Sequence, residues 1–170
     1  MALIVEDGSI VIGANTYVSS DYFQEYCEAR AIESITFDDE ALVESLLIKA
    51  MDFLESLRSR YGGYRVSHDQ PLQFPREGLY IEGDYRPFPS DTIPSELKKG
   101  QCQAAVELVD NDIMPTVGDT PVRQETIGPL TTIYATSATD PWAGPEFPKV
   151  MAWLQPLLVG TNMPTRVYRA

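Results

Sequence analysis

Three stretches of the chain repeat apolar residues at helical spacing, and each predicts an amphipathic helix. The first covers about residues 20–31. Tyr22, Phe23, Tyr26 and Cys27 form its apolar face, and Asp21 suits the positive end of the helix dipole. The second covers about residues 37–60. Val43, Leu47, Ala50, Leu54 and Leu57 form a stripe that Leu42, Leu46 and Phe53 widen, so it needs at least two packing neighbours. Thr36 and Asp39 read as a capping box at its start. Arg58 and Arg60 read as dipole-matched charges in its last turn, and Gly62-Gly63 as its stop. The third covers about residues 94–112, with Pro94 in the first turn and Leu97, Gln101, Ala104 and Leu108 on one face. Gly100, Ala104 and Ala105 would let another helix approach closely.

After Pro121 the period changes. Residues 122–127 and 130–134 are rich in β-branched types and flank Gly128-Pro129, which predicts a β-hairpin near residues 122–134. A two-stranded hairpin is marginal alone, so it should lean on the bundle or on another chain. A short helix starts near Phe147, and Pro156 ends or kinks it. The fold class is therefore mainly α: a bundle of three to four helices with a β-hairpin and an extended C-terminal tail. Residues 1–158 form one helical domain with the hairpin, and residues 159–170 form the tail. Between the second and third helices runs a long stretch that carries Pro71, Pro75, Pro87 and Pro89 beside Tyr64, Phe74, Tyr80, Tyr85 and Phe88. Irregular stretches of this length are uncommon unless functional. The aromatics argue for packing against the bundle or a partner.

Charge narrows the functions. The 170 residues carry 13 basic and 25 acidic side chains, a net −12. Residues 1–60 hold 4 basic and 12 acidic groups, residues 61–120 hold 5 and 10, and residues 121–170 hold 4 and 3. That balance argues against a general nucleic-acid binder, which neutralises phosphates, and against docking on an anionic membrane. No apolar run reaches the length of a membrane span, and residues 1–15 do not read as a signal peptide. Cys27 and Cys102, far apart in sequence, read as buried thiols in a reducing compartment.

Catalytic sets are absent from the pattern. The one histidine, His68, lies in the polar run Ser67-His68-Asp69 without a nucleophile turn, so it reads as a solvated loop residue and the chain as no enzyme. No spacing suits a metal or cofactor: Asp38, Asp39 and Glu40 read as capping charge, and Gly62-Gly63 lacks the residues of a phosphate loop. One basic-aromatic cluster stands out: Arg58, Arg60, Tyr61, Tyr64 and Arg65. It suits base stacking and phosphate contact. The competing reading is a helix end with tyrosines packed on the core, which the net charge favours. The second candidate is the tail, where Arg166, Val167, Tyr168 and Arg169 combine residue types that anchor interfaces.

Read in order, several short segments resemble a tailed-phage family labelled DnaT-like single-stranded DNA-binding protein, whose members look like head–tail connectors. The matching stretches are Gly13, Asn15, Tyr17 and Ser19 before the Tyr22-Phe23 helix; Leu47, Ala50, Phe53 and Leu54; Gln70, Leu72, Phe74, Pro75 and Arg76; Ile93, Pro94 and Leu97; Ile127-Gly128-Pro129-Leu130; and Phe147-Pro148 through Leu158. The resemblance implies a structural virion protein, an adaptor in the phage neck that forms an oligomeric ring under the portal. Its partners would be the portal protein, neighbouring copies of itself and a tail-side neck or terminator protein, with DNA at most passing through the channel. It implies portal binding through the tail at Arg166, Val167, Tyr168 and Arg169. The alternative is a single-stranded DNA-binding replication accessory acting through Arg58, Arg60, Tyr61, Tyr64 and Arg65.

Overall fold

A computed structural model describes residues 2–81, 86–109 and 147–159, together with the backbone of two strands at 124–127 and 130–133. The chain divides into two compact units. One comprises Met1–Ile113 with Phe147–Ala170, and the other Met114–Glu146.

The first unit is helical. Its elements are α1 (Ser20–Glu28), α2 (Glu40–Ser56), α3 (Ser95–Glu107) and α4 (Pro148–Leu154). Between α2 and α3 lies an antiparallel two-residue ribbon, β1 (Tyr64–Arg65) against β2 (Arg76–Glu77). The second unit holds β3 (Gln124–Ile127) paired antiparallel with β4 (Leu130–Ile133), in the register Gln124–Ile133 through Ile127–Leu130. The mainly helical class with a hairpin is thus the observed architecture.

Helix boundaries follow local chemistry. The Ser19 hydroxyl accepts from the Tyr22 N–H at 3.2 Å and starts α1. Asp39, not Thr36, caps α2: its carboxylate accepts from the Leu42 N–H at 3.2 Å. An aspartate in extended conformation meets that donor directly, so the helix begins three residues later than a cap at Thr36 would place it. Pro94 is the N-cap of α3 rather than part of its first turn. α2 stops at Ser56, so Arg58 and Arg60 lie beyond it and Gly62-Gly63 is not its terminus. Pro156 neither kinks α4 nor continues it. The α-helix gives way at Gln155–Leu157 to one 3₁₀ turn, which asks nothing of the missing proline N–H.

α3 lies between α2 and α4, and α2 supplies a broad apolar stripe to the core. Val43, Leu47, Ala50, Leu54 and Leu57 are buried as their spacing predicts, with Leu46, Met51 and Phe53 beside them. Leu42 departs from that stripe and is 47% exposed. α3 and α4 approach closely because Gly100 has no side chain: a Cβ there would lie 2.6 Å from Leu154 Cδ2. Gln101 is fully buried yet fully used. Its amide donates to Thr16 Oγ1 at 2.8 Å and to the Leu47 carbonyl at 3.1 Å, and its oxygen accepts from the Tyr17 N–H at 3.0 Å. That residue fixes the register of three segments at once. Cys27 and Cys102 are free and buried, and burial raises both thiol pKa values. Among the described residues, no helix is long and apolar enough to cross a membrane.

The segment between α2 and α3 splits its aromatics between two environments. Phe74 is buried and meets Tyr17 and Tyr61 edge-on, at 6.2 Å and 5.2 Å between ring centroids. Leu72, Leu79 and Ile93 join it in the core, whereas Tyr64 and Tyr80 face solvent. Tyr85 lies outside the described residues.

Candidate nucleic-acid interface

The chain that leaves α2 turns twice before β1. The Arg58 N–H donates to the Glu55 carbonyl at 3.1 Å and the Arg60 N–H to the Leu57 carbonyl at 2.8 Å. After these turns come two tyrosines that look equivalent in sequence, with Gly62-Gly63 between them. Tyr61 points inward and is 5% exposed, and its hydroxyl donates to the Leu54 carbonyl at 3.0 Å. Burial drives its pKa far above the ordinary tyrosine value, with Glu55 adding to the rise. Tyr61 is a core residue and cannot stack on a base. Tyr64, three residues on, is 76% exposed on the ribbon, beside the exposed Val66.

Arg76 holds the ribbon. Its side chain is buried, and its guanidinium spreads over backbone carbonyls: Nε donates to Gly62 at 2.7 Å and Nη2 to Gly63 at 2.8 Å. Nη1 donates to the Gln73 carbonyl at 3.4 Å and to its amide oxygen at 3.3 Å. Gln73 is itself fixed by Glu55, whose carboxylate accepts from the Gln73 N–H and side-chain amide, each at 3.0 Å. Desolvation pulls the Arg76 pKa below its usual value. Gly63 completes the device at φ +67°, where a Cβ would sit 2.4 Å from the Glu77 carbonyl. A guanidinium clamped on successive carbonyls keeps the turn rigid without an ion pair.

The other arginines differ in kind. Arg58 is exposed, Arg60 half-buried and Arg65 exposed. The Arg65 Nη2 donates to the carbonyls of His68 at 3.2 Å and Gln70, which orients it along the loop. Among the described residues no carboxylate pairs with Arg58, Arg60 or Arg65. The root of the ribbon is also sewn to the segment after α4. Gly62 N–H donates to the Leu157 carbonyl at 2.9 Å and Val159 N–H to the Arg60 carbonyl at 2.7 Å, around the antiparallel pair Tyr61–Leu158. The structure therefore brings Arg58, Arg60, Tyr64 and Arg65 to one ribbon and its root, and removes Tyr61 from the set. An exposed ring in a stretch with arginines that carry no carboxylate partner has the residue types to stack a base and meet phosphates, with Tyr64 and Arg65 on opposite faces of the ribbon.

A family model described as "Putative DnaT-like ssDNA binding protein" matches residues 1–170. The chain belongs to this family. No curated protein and no solved structure matches it.

Membership in the DnaT-like family corrects one expectation. The family is described by single-stranded DNA binding, and nothing in the match refers to a bacteriophage virion, a portal or a neck, so the head–tail connector, adaptor and oligomeric-ring reading is withdrawn. The physical reason lies in the segments that carried the resemblance. Leu47, Ala50, Leu54, Phe74, Leu97 and Leu154 are core residues, and Gln70 and Arg76 bond to backbone. Such residues report a shared fold and say nothing of what it assembles with. The interface residues expected in the tail, Arg166, Val167, Tyr168 and Arg169, lie outside the described residues.

His68 is an exposed loop residue whose carbonyl accepts from Arg65. Among the described residues no group of His, Cys, Asp and Glu could hold a metal ion. This member of the DnaT-like family has a second aromatic–cation cluster that sequence reading missed. It joins Tyr26 and Arg30 at the end of α1, Lys99 on α3 and Trp153 on α4. The one local signal was the i, i+4 spacing of Tyr26 and Arg30.

Proposed function

We propose that this protein binds single-stranded DNA as a replication accessory, through the ribbon surface formed by Arg58, Arg60, Tyr64 and Arg65. The observation that carries the reading is the exposed Tyr64 ring on a backbone fixed by Arg76, in a stretch whose Arg58, Arg60 and Arg65 form no ion pair among the described residues, with Glu77 across the ribbon from Tyr64 as its one facing carboxylate. A fixed backbone leaves only the side-chain torsions of Tyr64 to be ordered when a base stacks on it. The family description supports the choice of ligand.

The net charge of −12 sets the terms of such binding. Contact is confined to a local basic surface, because the rest of the molecule repels a polyanion. Few phosphates are then engaged, and the interaction is modest and only mildly salt-sensitive. Three arginine–phosphate contacts give a slope of about −2 in log affinity against log salt. Fluorescence anisotropy with a labelled single-stranded oligonucleotide over a salt series measures that slope. An absence of binding at about 50 mM salt rejects the proposal.

A further inference from the structure

The second aromatic–cation cluster has the composition of a strand-binding subsite, although it draws on three helices. The Arg30 guanidinium lies 3.7 Å from the centre of the Tyr26 ring, and its Nη1 donates to the Tyr26 carbonyl at 3.1 Å. The same guanidinium stands 6.0 Å from the Trp153 ring centre, and the Lys99 ammonium 5.0 Å from it. A partly exposed indole therefore has two cations within reach of its ring. The Tyr26 ring that meets Arg30 is itself fixed: its hydroxyl donates to Gln103 Oε1 at 3.0 Å. Gln103 in turn donates to Glu107 Oε1 at 3.0 Å, which Lys149 meets at 3.4 Å.

The charges are placed unevenly. Two carboxylates on the same helices have other partners: Glu107 is met by Gln103 and Lys149, and Glu28 by the Gln24 amide at 2.8 Å. Among the described residues neither Arg30 nor Lys99 has a carboxylate partner. Two cations without a carboxylate partner beside a partly exposed indole, on a chain of net charge −12, form a local exception to the surface. We infer that Trp153, Arg30 and Lys99 form a second single-strand subsite, in which a base meets the indole and adjacent phosphates meet the two cations. This inference rests on the strand-binding function proposed above and extends it to a different face of residues.

The test uses the full chain with Trp142→Phe, which leaves Trp153 as the single tryptophan of the two in the sequence. An oligothymidylate of about 16 nucleotides is titrated at low salt, with indole emission and anisotropy of a labelled oligonucleotide read together. The expected result is quenching of Trp153 in step with binding. Arg30→Gln/Lys99→Gln should weaken binding about tenfold and flatten the salt slope by about 1.4, the loss of two phosphate contacts on a single strand. Arg30→Lys/Lys99→Arg keeps both charges and should retain most of the slope. Binding with unchanged Trp153 emission and a wild-type slope in the Gln pair overturns the subsite and leaves the ribbon reading standing. Equal loss in the charge-preserving pair also overturns it, since the residues would then act through structure. No binding by the parent chain ends both readings.

Discussion

The helical core and the ribbon beside it reach order by opposite chemistry. Around α2, α3 and α4 the contacts are apolar and close, and the decisive feature is a missing atom: Gly100 leaves room for Leu154. In the ribbon the contacts are polar and sparse, and the decisive feature is an added charge: Arg76 gathers carbonyls that no strand or helix satisfies. A core of the first kind tolerates variation in its surface but not in its volume. A ribbon of the second kind depends on a few polar side chains, here Arg76 with Gln70 and Gln73. Order of this type costs little apolar area, which leaves a ring such as Tyr64 free to face outward.

The largest test lies in the core. Leu47→Ala removes a fully buried side chain at the centre of α2 and should cost about 3–4 kcal/mol, read as a global loss in denaturant unfolding. A cost below about 1 kcal/mol would mean that the α2 stripe is not packed against α3. Arg76→Met keeps the apolar stem and frees the carbonyls of Gly62 and Gly63. It should cost roughly 2–3 kcal/mol and raise amide exchange or proteolysis between residues 61 and 79 before the helices respond. If exchange in α3 rises equally, the two regions are one cooperative unit and the contrast fails.

Tyr61→Phe removes one hydroxyl from the Leu54 carbonyl and should cost about 1 kcal/mol. It also carries a pH signature. Burial raises the folded-state pKa of Tyr17 and Tyr61 well above the unfolded value, so their contribution is complete below about pH 10 and declines as pH rises past it. The variant should flatten the alkaline limb of the stability curve, and an unchanged limb would place Tyr61 in solvent. Tyr64→Ala should move stability by less than about 0.5 kcal/mol while weakening single-stranded DNA binding about tenfold. A stability loss as large as that of Tyr61→Phe would show that the ring is packed.

What could be read from the sequence follows the same division. The α2 stripe was legible because burial repeats with the helix, and Val43, Leu47, Ala50 and Leu54 are all inside. Leu42 broke the pattern by lying just past the cap, on the side away from the core. Tyr61 and Tyr64 could not be separated by type or spacing. Their fates depend on α2 ending at Ser56 and on a ribbon only two residues long, which leaves no periodic trace. Arg76 was recognised as part of a family segment, yet its partners are carbonyls 13 and 14 residues upstream, and carbonyls carry no sequence signal. The Trp153 cluster was hidden for a related reason. Its four residues are scattered from position 26 to position 153, and only packing of α1, α3 and α4 assembles them.

The stitch between Arg60–Gly62 and Leu157–Val159 gives the molecule a mechanical property. The chain beyond Val159 is anchored to the root of the ribbon by the Val159–Arg60 and Gly62–Leu157 hydrogen bonds. A pull on that end is transmitted to Arg60 first and then to Gly62, hence to the carbonyl that Arg76 grips and to the strand that bears Tyr64. Tethering the protein through its C-terminal end would thus strain the ribbon before it strained any helix, whereas a tether on α2 at Lys49 would leave it slack.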